Sequence, residues 1–368
     1  MPAPAVRLAL LGLLLGAAAA PANAQFSAPT RPGAAPAGDL SGPPPGIVRI
    51  SGVGYVALDG IAGSLGMRAD ADGDGRRHTL SDAGHQVRLE AASREVFIDG
   101  LRLFLGDPTV ERGGDLLVSR IDYEHRLLPL LRPRLAGPPP RTPRTIAIDP
   151  GHGGSDHGTE NRRLGLMEKT FTLDVGLRLR KLLEQQGYRI VMTRTDDTRL
   201  APDQVTDLQR RAEVANLAGA DLFLSIHFNS VAPDARTTGS EVYIFPPEFQ
   251  RSSPSWQNRE DDSEREASAV NRNDRWNTVF AHALHRELLR VLRTEDRGEK
   301  LKHLGVLRGL QCPGALAECA FLSNDAEALR IASPGFRQQV AEALDAGILA
   351  YGAEMEALRR GEAPPGAR

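Results

Sequence analysis

Cysteine is scarce in this chain, with only Cys312 and Cys319 among 368 residues. At most one disulfide can form, and geometry argues against that one. The segment between them reads as a strand, and seven residue steps at about 3.3 Å separate the two Cα atoms by roughly 20 Å. A bridge needs less than about 7 Å, so two small buried thiols are expected. An excess of one charge is also missing: 45 basic side chains face 47 acidic ones, for a formal net charge of -2. Bulk electrostatics therefore gives no reason to expect nucleic acid or an anionic membrane as partner. Long apolar runs are confined to Leu8 through Ala20. That run falls short of the roughly 20 residues a transmembrane helix needs, so no stable membrane insertion is expected.

What is present begins with an address. Arg7, the apolar run and Ala22-Asn23-Ala24 together have the form of a secretory signal peptide cleaved after Ala24. A retained membrane anchor is the alternative. No cysteine lies near the cleavage site to carry a lipid. The mature chain is thus expected to be exported, periplasmic or secreted. Residues 25–46 are dominated by Pro, Ala and Gly and read as a tether. A second proline cluster, Pro138-Pro139-Pro140 and Pro143 within a linker over 134–144, marks a domain boundary. With 41% hydrophobic residues, the length accommodates one sizeable domain and one smaller.

Between the linkers, residues 47–133 show short apolar runs cut by turn signals: Val53 to Leu58, Gln86 to Leu89, Glu95 to Ile98 and Leu116 to Val118. Short helices fit Asp59 to Leu65 and Arg120 to Leu128. This predicts a small α+β module. Its spacing resembles the stalk domain first named from copper amine oxidases, without a ligand cluster that would imply copper. Asp70-x-Asp72-x-Asp74-Gly75 has the start of a calcium loop, but the glutamate expected about six or seven residues beyond the glycine is missing, with Ser81 and Asp82 standing there. A solvated hairpin turn is the expectation there.

Residues 145–355 alternate strand and helix, with a tail over 356–368 expected to be disordered. Thr145 to Asp149, Tyr188 to Thr193, Asp221 to His227 and Ala315 to Ala320 read as buried strands, and Phe171, Val175, Leu179 and Leu182 recur at helical spacing. Further helices fit Leu208 to Ala218, Trp276 to Leu292 and Phe336 to Tyr351. The pattern predicts an α/β fold, a mostly parallel twisted sheet with helices on both faces. Ligands then bind beyond the carboxyl ends of the strands.

Polar groups gather at those ends. His152 follows the first strand, His227 closes the third, Glu318 interrupts the last, and Glu168 opens a helix. Two imidazoles and one carboxylate form a catalytic zinc set that leaves the metal positively charged with a position free for water. Taken singly, His152 and His227 read equally as structural histidines, and Glu168 as a helix N-terminal charge. Glu318 is harder to dismiss, because a carboxylate within an apolar strand is costly unless paired or near a metal.

Around these residues run Asp149-Pro150-Gly151-His152-Gly153-Gly154, Gly165-x-x-Glu168-Lys169, Val191-Met192-Thr193-Arg194, Arg210-Arg211-Ala212-x-x-Ala215-Asn216, Ser225-Ile226-His227-Phe228-Asn229-Ser230, Gly239-x-Glu241-Val242-Tyr243, Val306-Leu307-Arg308 and Glu318-Cys319-x-Phe321-Leu322-Ser323-Asn324. In this order they resemble the zinc-dependent N-acetylmuramoyl-L-alanine amidases, cell-wall hydrolases of the type 3 amidase family. The resemblance implies a phosphorylase/hydrolase-like catalytic domain, Zn2+ on His152, Glu168 and His227, Glu318 as acid/base, and peptidoglycan as substrate. Asn229 and Arg308 are candidates for substrate or oxyanion contacts, with a structural role as the alternative for each. Two other functions compete: a zinc peptidase or amidase cutting another peptidoglycan bond, and a cell-wall-binding protein without turnover. The second has no use for a base beside an open metal position.

Two departures stand out. His157 occupies a place where the family more often has a small residue or proline, and no role is expected of it. The stretch 246–275 is long for a connection and carries Glu260-Asp261-Asp262-x-Glu264-x-Glu266. It reads either as a regulatory insertion displaced by a protein activator or as a plain solvated loop.

Overall fold

The structure, a computed structural model, describes residues 46–231, 236–253 and 267–362. The stretches expected to be a signal peptide and a tether, up to residue 45, and the acidic run at 260–266 lie outside the described residues.

Short two-faced strands open the described chain. β1 (Ile47–Ile50) and β2 (Val53–Ala57) form a hairpin. α1 (Leu58–Leu65) follows, burying Leu58, Ile61, Ala62 and Leu65 on one face, and Gly66 stops it at φ 63°. A left-handed residue is the usual helix stop, and glycine enters that conformation without a Cβ penalty. Then come β3 (Arg68–Ala71), β4 (Arg77–Ser81), β5 (Gln86–Glu90), β6 (Glu95–Ile98) and β7 (Leu101–Phe104), an antiparallel meander. Leu80, Val87, Leu89, Val96, Ile98 and Leu103 point inward at every second position. The aspartates at 72 and 74 occupy the turn between β3 and β4, as a hairpin requires. β8 (Val110–Arg112) and β9 (Asp115–Ser119) join β2 and β1 in a separate four-stranded sheet, and α2 (Arg120–Asp122) leads through a wider π-type turn into α3 (Leu128–Leu131).

After the prolines the chain alternates. β10 (Thr145–Pro150) is followed by the small ribbon of β11 (Glu160–Asn161) and β12 (Leu166–Met167), then by α4 (Glu168–Gln185), β13 (Arg189–Met192), α5 (Gln204–Leu217) and β14 (Leu222–Asn229). β15 (Ser240–Ile244), α6 (Asp274–Leu292), β16 (Asp296–Leu301), α7 (Gly305–Arg308), β17 (Gly314–Phe321), α8 (Asp325–Ala332) and α9 (Pro334–Arg360) complete it; α9 continues into the stretch expected as a disordered tail from residue 356, because Ala357 is buried and Gly361 supplies the left-handed stop. α4 buries Phe171, Val175, Leu179 and Leu183, one turn apart. Asp203 caps α5 by accepting from Thr206 N at 2.9 Å. α4, α6 and α9 cover one sheet face over Ile148, Leu224, Ile226 and Ala317. α5 and α7 cover the other over Ala147, Phe223, Phe245 and Leu316.

The sheet is mixed, where the alternation of strands and helices predicts a mostly parallel one. Its eleven strands run in the order β13-β10-β14-β17-β15-β16-β7-β6-β5-β4-β3. β13, β10, β14 and β17 are parallel, β15 runs antiparallel to β17, and β7 to β3 form the meander. Antiparallel strands need only tight turns between them, so they leave no intervening helix in the sequence to announce their place. β7 joins β16 in parallel through the Leu103–Glu299 register, and this seam carries one sheet across the proline cluster. Helix α6 reinforces the seam: Arg275 donates to the carbonyls of Ala136 at 2.7 Å and Glu124 at 3.2 Å, and Thr278 Oγ1 donates to the His125 carbonyl at 2.8 Å.

A shared sheet should unfold as one body. Leu103→Ala, at a position 1% exposed on the seam strand, should cost about 2–5 kcal/mol and shift a single calorimetric transition of the whole chain. Two transitions with only the smaller displaced would show that the seam does not couple the halves.

Candidate metal centre

β10 ends at the floor of the site, and the turn beyond it is held from below. Asp149 is buried and accepts from Thr193 Oγ1 at 2.6 Å, Ser225 Oγ at 2.7 Å and Arg211 Nη1 at 2.8 Å. Burial opposes ionisation of Asp149, but Arg211 and the two hydroxyls outweigh it and hold its carboxyl below the usual range. Arg211 also donates to Asp207 at 2.8 Å and to the His152 carbonyl at 2.9 Å. Arg194 fills the other side, donating to the carbonyls of Pro150, Gly151 and Lys169. Between these two guanidinium groups His152 adopts φ 63°, left-handed for a residue with a side chain.

That turn aims His152 at its neighbours. His152 Nε2 lies 3.2 Å from Glu168 Oε2, and His227 Nδ1 lies 2.9 Å from Glu168 Oε1. Ligand atoms of the three residues fall within 4.8 Å of one another. His227 comes from β14 and Glu168 is the first residue of α4. Backbone N–H groups of Thr159 and Phe228 donate to the Glu168 carboxylate at 2.8 and 3.0 Å and fix its plane. Two glycines make the crowding feasible. A Cβ on Gly151 would meet His227 Cε1 at 2.2 Å, and one on Gly158, at φ 66°, would meet Glu168 Oε2 at 2.6 Å. His152 Nδ1 stands 3.0 Å from Asp156 Oδ2, an ion-pair distance at which the carboxylate favours a proton on that nitrogen.

The electrostatics is that of a cation site. Burial disfavours a charged His152, yet Asp156 and Glu168 overcome it and lift its pKa to about 10. Burial likewise works against ionised Glu168, and the two imidazoles hold its carboxyl far below the ordinary range. Positive charge is therefore strongly favoured between these side chains. Glu318 completes the picture from β17, where its register places it opposite His227 on one side and Glu241 on the other. Its Oε2 is sealed from solvent and has no hydrogen-bond partner among the described residues. Burial, then the charges of Glu168 and Glu241, push its carboxyl well above the usual range.

The family profile of N-acetylmuramoyl-L-alanine amidases matches residues 146–350, more than half of the chain and the whole of this site. The chain belongs to that family. It is 31% identical over 221 residues to a germination-specific N-acetylmuramoyl-L-alanine amidase of Bacillus subtilis (strain 168), covering 58% of this chain and 81% of that protein. It is 35% identical over 198 residues to the amidase CwlM of Bacillus licheniformis, covering 53% of this chain and 64% of that one. Among solved structures, the catalytic domain of the amidase CwlV of Bacillus (Paenibacillus) polymyxa var. colistinus superposes with a TM-score of 0.45 at 28% identity, over 56% of this chain and 97% of that one.

Within this amidase the other candidates take definite places. Asn229 donates from Nδ2 to Glu241 Oε1. Arg308 stacks 5.3 Å over the Phe245 ring. His157 pairs with Glu160 at 2.8 Å near the surface, apart from the triad. Asp149, Asp156, Arg194 and Arg211 were assigned no role from sequence, although all but Asp156 stand in the motifs quoted above. Nor was a role assigned to Glu241, a buried carboxylate that accepts from Tyr243 OH at 2.7 Å and pairs with Lys300.

Arg211→Met would leave Asp149 as an uncompensated buried charge, which costs about 3–5 kcal/mol. Because the folded pKa of Asp149 is depressed, the stabilisation from its ionised form is complete at neutral pH and is lost as pH falls through the carboxylate range. Urea denaturation should therefore show the largest gap between wild type and variant at neutral pH, narrowing in mild acid.

Proposed function

We propose that the amidase hydrolyses the amide bond between N-acetylmuramic acid and L-alanine in peptidoglycan, with zinc held by His152, Glu168 and His227. The observation that carries this reading is the convergence of those three donors beside the unpartnered Glu318 Oε2. The residues fit the metal. The 3.2 Å between His152 Nε2 and Glu168 Oε2 matches the separation of about 3.3 Å expected for two ligands each about 2.0–2.1 Å from tetrahedral zinc. Two neutral imidazoles and one carboxylate leave such a cation a net positive charge.

When bound, zinc supplies Lewis acidity, making water acidic near neutral pH and polarising a carbonyl. Glu318 takes a proton from the attacking water, whose oxygen bonds to the lactyl carbonyl carbon. The carbon–nitrogen bond then breaks, and Glu318 returns the proton to the departing amine of L-alanine. The Asp156 carboxylate, 3.0 Å from His152 Nδ1, favours the tautomer that leaves Nε2 facing inward. In this reading the enzyme is exported and works in wall remodelling or daughter-cell separation.

Glu318→Gln should retain stoichiometric zinc and abolish turnover, whereas His152→Ala should lose the metal, both read by elemental analysis alongside hydrolysis of purified cell wall. Near-normal rates in Glu318→Gln would overturn the assignment. Mass spectrometry of the digest should find free stem peptides beginning with L-alanine; intact muramoyl linkages with other cuts would point to a peptidase instead. Control by a protein activator acting on 246–275 belongs to the same proposal. Gln250 and Ser253 are buried anchors of that stretch, so its test is a deletion confined to residues 254–266. Basal hydrolysis should rise, and an unchanged rate in a folded, zinc-loaded deletion would discard the idea.

A further inference from the structure

The face of the sheet that carries Glu318 does not stop at the active site. Register carries it strand by strand: Glu318 lies opposite Glu241, Tyr243 opposite Lys300, Phe97 opposite Arg102, Arg88 opposite Phe97, and Thr79 opposite Arg88. Across the seam, Glu299 and Leu103 point to the opposite, helix-covered face, which leaves Lys300, Arg102 and Phe104 on the same face as Glu318. Gly298 lets them close the seam, since a Cβ there would meet Phe104 Cε2 at 2.8 Å and Arg102 Cγ at 3.0 Å.

The side chains along this face alternate cation and ring. Arg88 and Arg102 stand 5.0 and 5.8 Å from the Phe97 centroid, and Lys300 stands 5.8 Å from Phe104 and 5.7 Å from Tyr243. At the far end a cleft of about 370 Å³ opens among Arg77, Thr79, Arg88, Glu90, Glu95 and Phe97. Two of its carboxylates are already engaged, Glu95 with Arg102 at 2.5 Å and Glu90 with Arg76 at 3.5 Å. Asp72 lines it as well. Arg77 and Arg88 are exposed and form no ion pair among the described residues. Stacking occupies only the flat face of the Arg88 guanidinium, so its in-plane N–H fork stays available for a carboxylate.

We infer that the exposed far end of this face is a binding track for the peptidoglycan polymer, on which Arg77 and Arg88 take the carboxylates of a stem peptide other than the one being cut; between it and Glu318 the face is covered, with Glu241 2% and Lys300 8% exposed. Five strand spacings separate Glu318 from Arg88, roughly 24 Å at about 4.8 Å each. An extended four-residue peptide reaches only about 14 Å, so the stem at the metal cannot fill the cleft itself. A neighbouring stem on the same polymer is the ligand whose carboxylates match the unpaired arginines and whose glycan backbone leads to the metal. This inference rests on the amidase reading for its choice of polymer.

Binding separates from cleavage in the full-length Glu318→Gln chain, titrated with purified insoluble peptidoglycan. Arg88→Glu combined with Phe97→Ala should raise the half-saturating polymer concentration about tenfold. Arg77→Glu, which alters an exposed side chain alone, should shift it in the same direction. Arg49→Glu, an equal charge change on the separate β1 sheet, should not. With Glu318 intact, the track variants should lose more rate on the polymer than on a soluble N-acetylmuramoyl-peptide monomer. Binding insensitive to all three track substitutions, an equal response to Arg49→Glu, or equal rate losses on both substrates would overturn the track. A wild-type chain that cuts neither substrate, yet binds polymer in an Arg88-dependent way, would sustain the track and remove the amidase reading.

Discussion

Everything at the candidate metal centre hangs on the ion pair buried beneath it. Asp149 and Arg211 are each about 2% exposed or less and meet at 2.8 Å. Arg211 spends its remaining N–H groups on Asp207 and on the carbonyls of Pro150 and His152. A backbone turn that carries a left-handed histidine is strained, and it persists because two guanidinium groups bond its carbonyls from both sides. Glycines at 151 and 158 then admit the His227 and Glu168 side chains to van der Waals contact. Preorganisation of this kind fixes donor positions before any cation arrives.

Much of this could be read in advance, and the reason is local. The 3.6-residue recurrence through Phe171, Val175 and Leu179 writes α4 into the sequence, and uninterrupted apolar runs write β10, β14 and the strand around Glu318. His152, His227, Glu168 and Glu318 were legible because polar groups at the ends of apolar strands, or inside one, demand an explanation. β15 and β16 left weaker traces. Asp296-Arg297-Gly298-Glu299-Lys300 looks like surface chain, yet Glu299 is buried against His282 at 2.7 Å and Lys300 against Glu241. Pairing across long sequence separation makes these charges compatible with a sheet interior, and no local pattern reports it.

The same limit hid the seam. Residues 134–144 have the composition of a connector, and composition says nothing about a β7–β16 pairing between residues nearly two hundred positions apart. Asp149, Arg194 and Arg211 illustrate the converse problem. As isolated letters they belong on the surface, and only their mutual satisfaction takes them inside. The α/β character and the cluster were therefore recoverable from sequence, while the extent of the sheet and the support of the cluster required coordinates.

Cys312 and Cys319 are free, and both are buried, at 6% and 0% exposure. Burial pushes the Cys312 thiol up to about 12 and the Cys319 thiol higher still. Only the thiolate reacts readily, so an alkylating reagent meets neither sulfur while the core is closed. Labelling of these two positions is a built-in clock for opening of the chain: Cys319 sits on the strand of Glu318 itself, and its modification times the exposure of that strand without any engineered probe.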